Sequence, residues 1–532
     1  MAIPGSGAIS LTAVPAAHRR LKEIAFWTVL LILAVLALHV MRSVTRWGVG
    51  LGSDSAVYIA VARNWLAGHG MNWLSGGLEA KPLTHHPPLY SLLLAGFQVL
   101  SLDPIQSARI MSVVAFAMNL LLTVASTARI TSSRAWSVVG GAVFLASGEL
   151  IHVHSWAMTE PLYLLFGLIG LFLLSSYLTD ARFLYLCGAS VAFSLAYLTR
   201  YAGLSLIVVA AVALAVVGRA HLRQRPRDLA VLLSLGLAPI GVWMARNVAL
   251  TGLATNRRLG WYGPSLDELR MGLLIVLDWF LPGRVVSWLT PYLGLLAVLS
   301  ALALTALVVV LWRRRGAAQT TDSPPGSTLA FLIAFYLAGY LAFLVASLWF
   351  TLPGPDIDQR MLSPALQSSI ILGVSMLGLA FRSGRRGLVA AALLGAAYLI
   401  TIKGASVGNA VRQLEADGQG YASARWRNSA AVQALHDIDA PAIYTDDLAA
   451  VELLAERHAY LIPIRLDLVS GEPRPDFPQA LTTMRRRLTE GAVLALFNPQ
   501  GISREYASLE EMTDGFRLLA DYPDGRIYGA GP

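Results

Sequence analysis

PLYSLLLAGFQVLSL, residues 88–102, decides how this chain threads. It is fifteen mostly apolar residues, short of the ~20 that a helix needs to cross the hydrocarbon core of a bilayer. Around it, apolar runs recur at 24–43, 106–128, 135–150, 157–178, 183–199, 201–218, 229–247, 285–311, 328–350, 361–381 and 387–404, eleven in all. The 532 residues are 56% hydrophobic and 14% charged, with a mean hydropathy of +0.59. That composition specifies a polytopic α-helical membrane protein of about eleven spans.

Charge fixes which way residues 88–102 are read. If Arg19, Arg20 and Lys22 lie in the cytoplasm, five alternate connections join them there: Arg129 with Arg134; Arg182; Arg219, Arg223, Arg225 and Arg227; Arg313 to Arg315; and Arg382, Arg385 and Arg386. This is the excess of basic residues that cytoplasmic loops carry. Counting 88–102 as one full span would put every later basic cluster outside. It is therefore read as a helix that dips into the outer leaflet and returns, although two short crossings would keep the same parity. The arrangement explains much of the net charge of +9 without nucleic acid. The single cysteine, Cys187, sits in an apolar run and supports neither a disulfide framework nor a thiolate metal cluster. The first apolar run lacks a small-residue cleavage site and reads as a retained anchor.

The outer face then receives residues 44–105, 149–156, the Thr199-Arg200 corner, 248–284, 351–360 and everything after 404. ATP and nucleotide sugars confined to the cytosol cannot reach those loops. The chain divides into a membrane domain, 1–404, and a polar tail, 405–532. In the tail, β-prone runs at 442–445, 459–464, 492–497, 516–520 and 526–529 alternate with helical ones at 421–436, 447–457 and 477–489, which predicts a small extracytoplasmic α/β domain.

The first outer loop concentrates the titratable groups. GSDSAVYIAVARNWLAGHGMNWLSGGLEAKPLTHHPPLY, residues 52–90, holds Asp54, an amphipathic segment with Tyr58, a turn at Gly76 and Gly77, and the cluster Lys81, His85, His86, Pro87, Pro88 and Tyr90. Asp54 follows the first span and opens a helix, where it could equally serve as a cap. Glu160 stands at the outer end of a span before Pro161; an ionisable group there is costly and usually faces a cavity, though Thr159-Glu160-Pro161 is also an ordinary helix start. Arg200, Arg246 and Arg360 lie at outer span ends, against the general arginine pattern, and could converge on one anion. Local pairing, such as Arg360 with Asp356, is the alternative. His85 and Glu160 are the pair best suited to a divalent ion, but His85, His86, His152 and His154 show no standard zinc spacing. Asp356-x-Asp358 is similar to a nucleotide-sugar metal motif but falls on the wrong side of the membrane. Trp261, Tyr262, Trp279, Phe280, Trp288, Trp349 and Phe350 read mostly as an interface belt.

Over roughly residues 24–380 the sequence resembles the GT-C superfamily of polyprenyl-phosphate-dependent glycosyltransferases, which holds the protein O-mannosyltransferases and the lipid A aminoarabinose transferases. The resemblance rests on Ser53-Asp54-Ser55-Ala56-Val57-Tyr58, Ala62 to Gly70, Pro87-Pro88-Leu89-Tyr90, Thr159-Glu160-Pro161-Leu162, Leu198-Thr199-Arg200, Arg246-Asn247 with Gly252, and Arg360-Met361-Leu362-Ser363-Pro364. It implies Asp54 as catalytic base and Glu160 as the second acidic residue of an outer cavity. The family often places an acidic residue and a lysine before the double proline, where His85 and His86 stand here. Phosphate contact would then pass to His86 or Lys81.

The expected activity is transfer of a sugar from a polyprenyl-phosphate donor to an acceptor hydroxyl on a lipid, glycan or protein, outside a bacterial inner membrane and with inversion. Donor phosphate would meet Lys81, His86, Arg200, Arg246 and Arg360, with Tyr58, His85 and Tyr90 lining the rest of the site. The rival readings are a transporter or flippase for a lipid-linked anion, and a binding subunit recruiting partners through its tail. Polar groups gathered at one surface, rather than at the midplane, favour the enzyme.

Overall fold

The computed structural model describes residues 16–74, 80–217, 225–317, 326–382, 384, 386–398, 401, 404–467 and 471–530. Gly76, Gly77, Arg219, Arg223 and Arg385 lie outside the described residues. In the membrane region the elements run α1 (Ala16–Val44), α2 (Ser53–Leu66), β1 (Asn72–Leu74), β2 (Ala80–Pro82), α3 (Leu89–Val99), α4 (Pro104–Thr131), α5 (Arg134–Leu145), α6 (Gly148–His154), α7 (Glu160–Asp180), α8 (Phe183–Thr199), α9 (Leu204–Val217), α10 (Arg225–Thr251), β3 (Arg258–Leu259), α11 (Leu266–Phe280), α12 (Gly283–Leu289), α13 (Leu293–Ala317), α14 (Gly326–Phe350), β4 (Thr351–Leu352), α15 (Gln359–Arg382) and α16 (Arg386–Tyr398).

Over its described residues each of the eleven expected runs falls mainly on helix, but the helices are not equally able to cross a bilayer. Among the described residues seven are long and apolar enough: Arg20–Val44, α4, α7, α10, Gly283–Arg313, α14 and α15. The run at 135–150 is a broken element, α5 and α6 meeting at 64°. The break follows from local chemistry, because Ser147 starts a new helix by accepting the Leu150 amide at 3.3 Å. Counted as one bent span it makes eight; α8 and α9 are shorter apolar helices, and α16 has 13 residues.

α3, with 11 residues, is too short to cross. The segments on either side of it sit at one end of the bundle, where Arg109 of α4 donates to Thr45 Oγ1, just past α1, at 3.0 Å. At the opposite end Arg129 donates to Ser176 Oγ (3.0 Å), Arg382 to the Ser132 carbonyl (2.8 Å), and Arg134 meets Glu23 (3.3 Å). The basic residues thus mark one end and α2 with α3 the other.

After α17 (Gly404–Asp417), α18 (Ala424–Arg427) and α19 (Ala430–Asp437) the chain builds a five-stranded sheet from β5 (Ile443–Thr445), β6 (Ala459–Leu461), β7 (Val493–Leu496), β8 (Arg517–Tyr522) and β9 (Gly525–Gly529), in the order β6-β5-β7-β9-β8. β5 is parallel to β6 and β7, and the remaining pairs are antiparallel. Period-two alternation gives each face its own core. Ile443, Val493 and Ala495 pack with α19 and α20 (Leu448–Leu454), while Tyr444, Leu494 and Leu496 pack with α21 (Phe477–Thr489) and α22 (Leu509–Thr513).

This sheet domain is strapped to the start of α2. Gly50 exchanges backbone hydrogen bonds with Ser155 and Ala157, both at 2.8 Å, and Leu51 accepts from the Tyr421 amide at 3.0 Å. Gln419 reaches the Ser155 carbonyl at 2.8 Å. Gly420 makes the strap possible: its φ is +56°, and a Cβ there would collide with the Leu51 carbonyl oxygen. A separate buried cluster, with Ile59, Tyr90, Leu94, Met111, Leu162 and Leu453, seals α2 and α3 between the bundle and α20.

Candidate active site

Asp54 lies in the first turn of α2, whose N-cap is Gly52. The side chain that closes this turn is Ser55, which accepts from the Gly52 amide and donates to the Ala157 carbonyl, each at 3.0 Å. Asp54 makes no capping bond among the described residues. Its two oxygens instead face basic side chains: Oδ1 is 3.6 Å from His86 Nε2 and Oδ2 is 3.7 Å from Arg360 Nη1. Burial raises the carboxyl pKa, but the adjacent His86 and the charges of Arg360 and Arg200 outweigh it and hold Asp54 at about 2.

His86 is oriented from behind. Tyr58, one turn beyond Asp54 on the same face of α2, has its hydroxyl 3.3 Å from His86 Nδ1. Burial, with the charges of Asp54 and Glu160, pushes the Tyr58 hydroxyl well above its usual value, so it keeps its proton. With Nδ1 so engaged, Nε2 is the ring nitrogen turned toward Asp54. Tyr90 packs on Tyr58 with ring centres 5.0 Å apart.

Across the cavity, Glu160 opens α7 and is 3% exposed. Its Oε1 meets Arg200 Nη1 at 2.5 Å, whereas Oε2 is buried with no hydrogen-bond partner among the described residues. Beneath it, Asn119 of α4 donates to the Pro161 carbonyl at 3.0 Å and lies 3.1 Å from His154 Nε2, fixing the α6–α7 turn. Arg200 terminates α8 and also donates to Thr159 Oγ1 (3.1 Å) and Met361 Sδ (2.8 Å), so it ties α7, α8 and α15 together.

Arg360 is positioned by Asp358. That carboxylate accepts from Arg360 Nε and from the Met361 amide, both at 2.8 Å, acting as N-cap of α15. The alternative pairing with Asp356 is not made. Asp358 is thus occupied by its own helix and is not half of an open metal-binding pair with Asp356.

Arg246 is employed differently. Its guanidinium donates to the carbonyls of Leu83 (2.8 Å) and Met71 (3.3 Å) and stacks over Trp243 at 4.4 Å. It clamps the loop that carries the histidines. Lys81 is exposed on β2, with no side-chain partner among the described residues. His85 lies between Trp73 and His86, at 5.3 and 4.3 Å; burial, then the His86 charge, lowers it to about 3. For a divalent ion, His85 and Glu160 lack support: among the described residues no group of three His, Cys, Asp or Glu could hold a metal.

Residues 54, 86, 160, 200 and 360 therefore converge from α2, the loop before α3, α7, the end of α8 and α15. Sequence reasoning missed four contributors: Thr159, Asp358 as a cap, Tyr340, which donates to the Met361 carbonyl at 2.6 Å, and Arg257. Burial and the nearby Arg200 charge lower the Arg257 pKa, placing a further cation beside the cluster. A carboxylate three residues before the Met361 amide was a legible cap signal for Asp358; Arg257 sits in a polar loop without periodicity.

Residues 85–243 match the family described as dolichyl-phosphate-mannose-protein mannosyltransferase. This segment contains His85, His86, Glu160 and Arg200, with Asp54 and Arg360 outside it. A search of the curated proteins found no match. The fold is similar to that of ArnT from Cupriavidus metallidurans in its apo state, with a TM-score of 0.53 and 13% identity over 96% of this chain and 100% of that one. ArnT bound to undecaprenyl phosphate gives 0.51 and 12%, over 94% and 99%. The archaeal oligosaccharyltransferase AglB from Archaeoglobus fulgidus, in complex with an inhibitory peptide and a dolichol-phosphate, gives 0.51 and 13%, over 89% and 69%. The family match thus covers residues 85–243, and the likeness to ArnT and AglB over nearly the whole chain shows that this protein shares their fold.

Proposed function

We propose that this protein transfers a sugar from a polyprenyl-phosphate donor to an acceptor hydroxyl, with Asp54 as general base and inversion at the anomeric carbon. The observation that carries the reading is Asp54 itself, a carboxylate free of any capping duty, held between His86 and Arg360. The lipid phosphates bound to ArnT and AglB, proteins of similar fold, support the class of donor. By the distribution of basic residues, the cluster faces the extracytoplasmic side and the N-terminus is cytoplasmic.

In this reading Arg200 and Arg360 receive the donor phosphate, with Lys81 and His86 at its edge, while Arg246 holds the loop that carries them. The acceptor oxygen gives its proton to Asp54 and attacks the anomeric carbon. The bond from that carbon to the phosphate oxygen breaks, and its electron pair leaves with polyprenyl phosphate, where fixed cations stabilise the developing charge. A carboxylate near pKa 2 is a weak base. An arriving phosphate competes for Arg360 and His86, loosens their hold and raises Asp54 as the donor binds. The unpartnered Glu160 Oε2 is placed to accept a hydrogen bond from the acceptor or the sugar.

Purified protein supplied with a panel of lipid-linked monosaccharides and an acceptor-bearing extract tests this. Polyprenyl phosphate release should fall ~10²–10⁴-fold in Asp54→Asn, as removal of a general base does, with a loss of stability at neutral pH of no more than about 1 kcal/mol. Undiminished release in the variant would refute the role, and retained anomeric configuration in the product would refute single displacement.

A further inference from the structure

Where α1 meets α4, a groove of about 610 Å³ opens on the outside of the bundle, away from the Asp54 cluster. Its wall is apolar: Leu38, Ile110 and Val114 line it and are 44%, 41% and 52% exposed, as expected of side chains against hydrocarbon. Its mouth is ringed by Arg42, Arg46 and Arg109. This is the end of the bundle where the basic loops are not, so three arginines here, like those of the Asp54 cluster, depart from the loop-charge pattern.

None of the three pairs with a carboxylate among the described residues. Arg109 is held in place by Thr45 Oγ1 at 3.0 Å and by the Arg42 carbonyl at 3.4 Å, which fixes one guanidinium beside the last turn of α1. Arg42 and Arg46, four residues apart, stand on the same side of that terminus. Holding three like charges together without a counter-ion costs free energy, and an anion with several acceptor oxygens removes the cost. The polar mouth opens directly onto the apolar wall, so the matching ligand carries phosphate and hydrocarbon in one molecule.

We propose that this groove binds an anionic phospholipid, its phosphate between Arg42, Arg46 and Arg109 and an acyl chain along Leu38, Ile110 and Val114. The site is independent of the transfer chemistry, since it lies on the lipid-facing side of α1 and α4 and shares no residue with the Asp54 cluster.

Full-length protein in detergent can be incubated with phosphatidylglycerol, phosphatidylcholine or inorganic phosphate, then examined by native mass spectrometry and thermal unfolding. Retention of phosphatidylglycerol over phosphatidylcholine is expected, with a rise in melting temperature. Arg42→Gln/Arg46→Gln changes two exposed side chains that bear no packing load and should abolish both effects. Arg360→Gln, in the cluster proposed for the donor phosphate, should keep them. Equal retention of the two lipids, a preference that survives in Arg42→Gln/Arg46→Gln, or one lost only in Arg360→Gln would overturn the proposal. Stabilisation by inorganic phosphate equal to that by phosphatidylglycerol would reduce the groove to a plain anion site and refute the lipid assignment.

Discussion

Replacing Arg200 with glutamine should destabilise the protein more than replacing its partner Glu160, and replacing both should recover about 1 kcal/mol of the loss. The asymmetry comes from burial: the Glu160 side chain is 4% exposed, whereas that of Arg200 is 20% exposed toward the cavity. Arg200→Gln leaves a carboxylate in the protein interior without its cation and removes the contacts to Thr159 and Met361. Breaking one side of a buried pair costs about 3–5 kcal/mol. Glu160→Gln leaves a cation that still has Thr159 and the open cavity, so its cost should be about 1–2 kcal/mol. The double variant carries neither charge, and the coupling between the two sites should be about 2–3 kcal/mol. Thermal unfolding in detergent, followed by tryptophan fluorescence, should rank Arg200→Gln lowest, with the double variant above it. Polyprenyl phosphate release should stay low in the double variant, because restored stability does not restore a phosphate ligand. A melting temperature for Arg200→Gln within error of wild type would refute the claim that this pair is desolvated.

Other consequences concern titration and the loop clamp. Asp54 is depressed to about 2 from 3.8, so it contributes stability above pH 4 that disappears as pH falls toward 2; at 39% side-chain exposure screening limits this to about 1 kcal/mol. The melting temperatures of wild type and Asp54→Asn should therefore converge on acidification, and a constant gap would show that the cations do not hold the carboxylate. Glu452, raised to about 7 by burial with Oε1 unpartnered, behaves oppositely: stability is full below its ordinary 4.5 and declines as pH rises through 7. Glu452→Gln should raise the melting temperature at pH 8 and leave it near wild type at pH 5, with about 3 kcal/mol as the ceiling. Arg246→Ala removes two carbonyl contacts and the Trp243 stack, so amide exchange at the described residues of 71–86 should accelerate more than in α4 or α7.

The membrane half of the fold is legible because its signal is local. Each apolar run is long enough to announce a helix, and arginines such as Arg129 and Arg382 label one end whatever the packing. The tail strands were readable for the same reason, from alternation and turns. Asp54, Glu160, Arg200 and Arg360 stand out because charge beside hydrocarbon is costly and so unlikely to be idle. Which charge meets which was not legible. Arg246 and Arg200 look alike in sequence, yet one clamps carbonyls and the other a carboxylate. Asp54 reads equally as cap or base until Ser55 is seen closing the turn. The bend between α5 and α6, the Gly420 strap and the Arg42–Arg46–Arg109 groove are likewise products of packing. Composition and periodicity specify elements and their ends; the partners of a charged side chain are set by how helices distant in sequence lie against one another, and only the tertiary structure determines that.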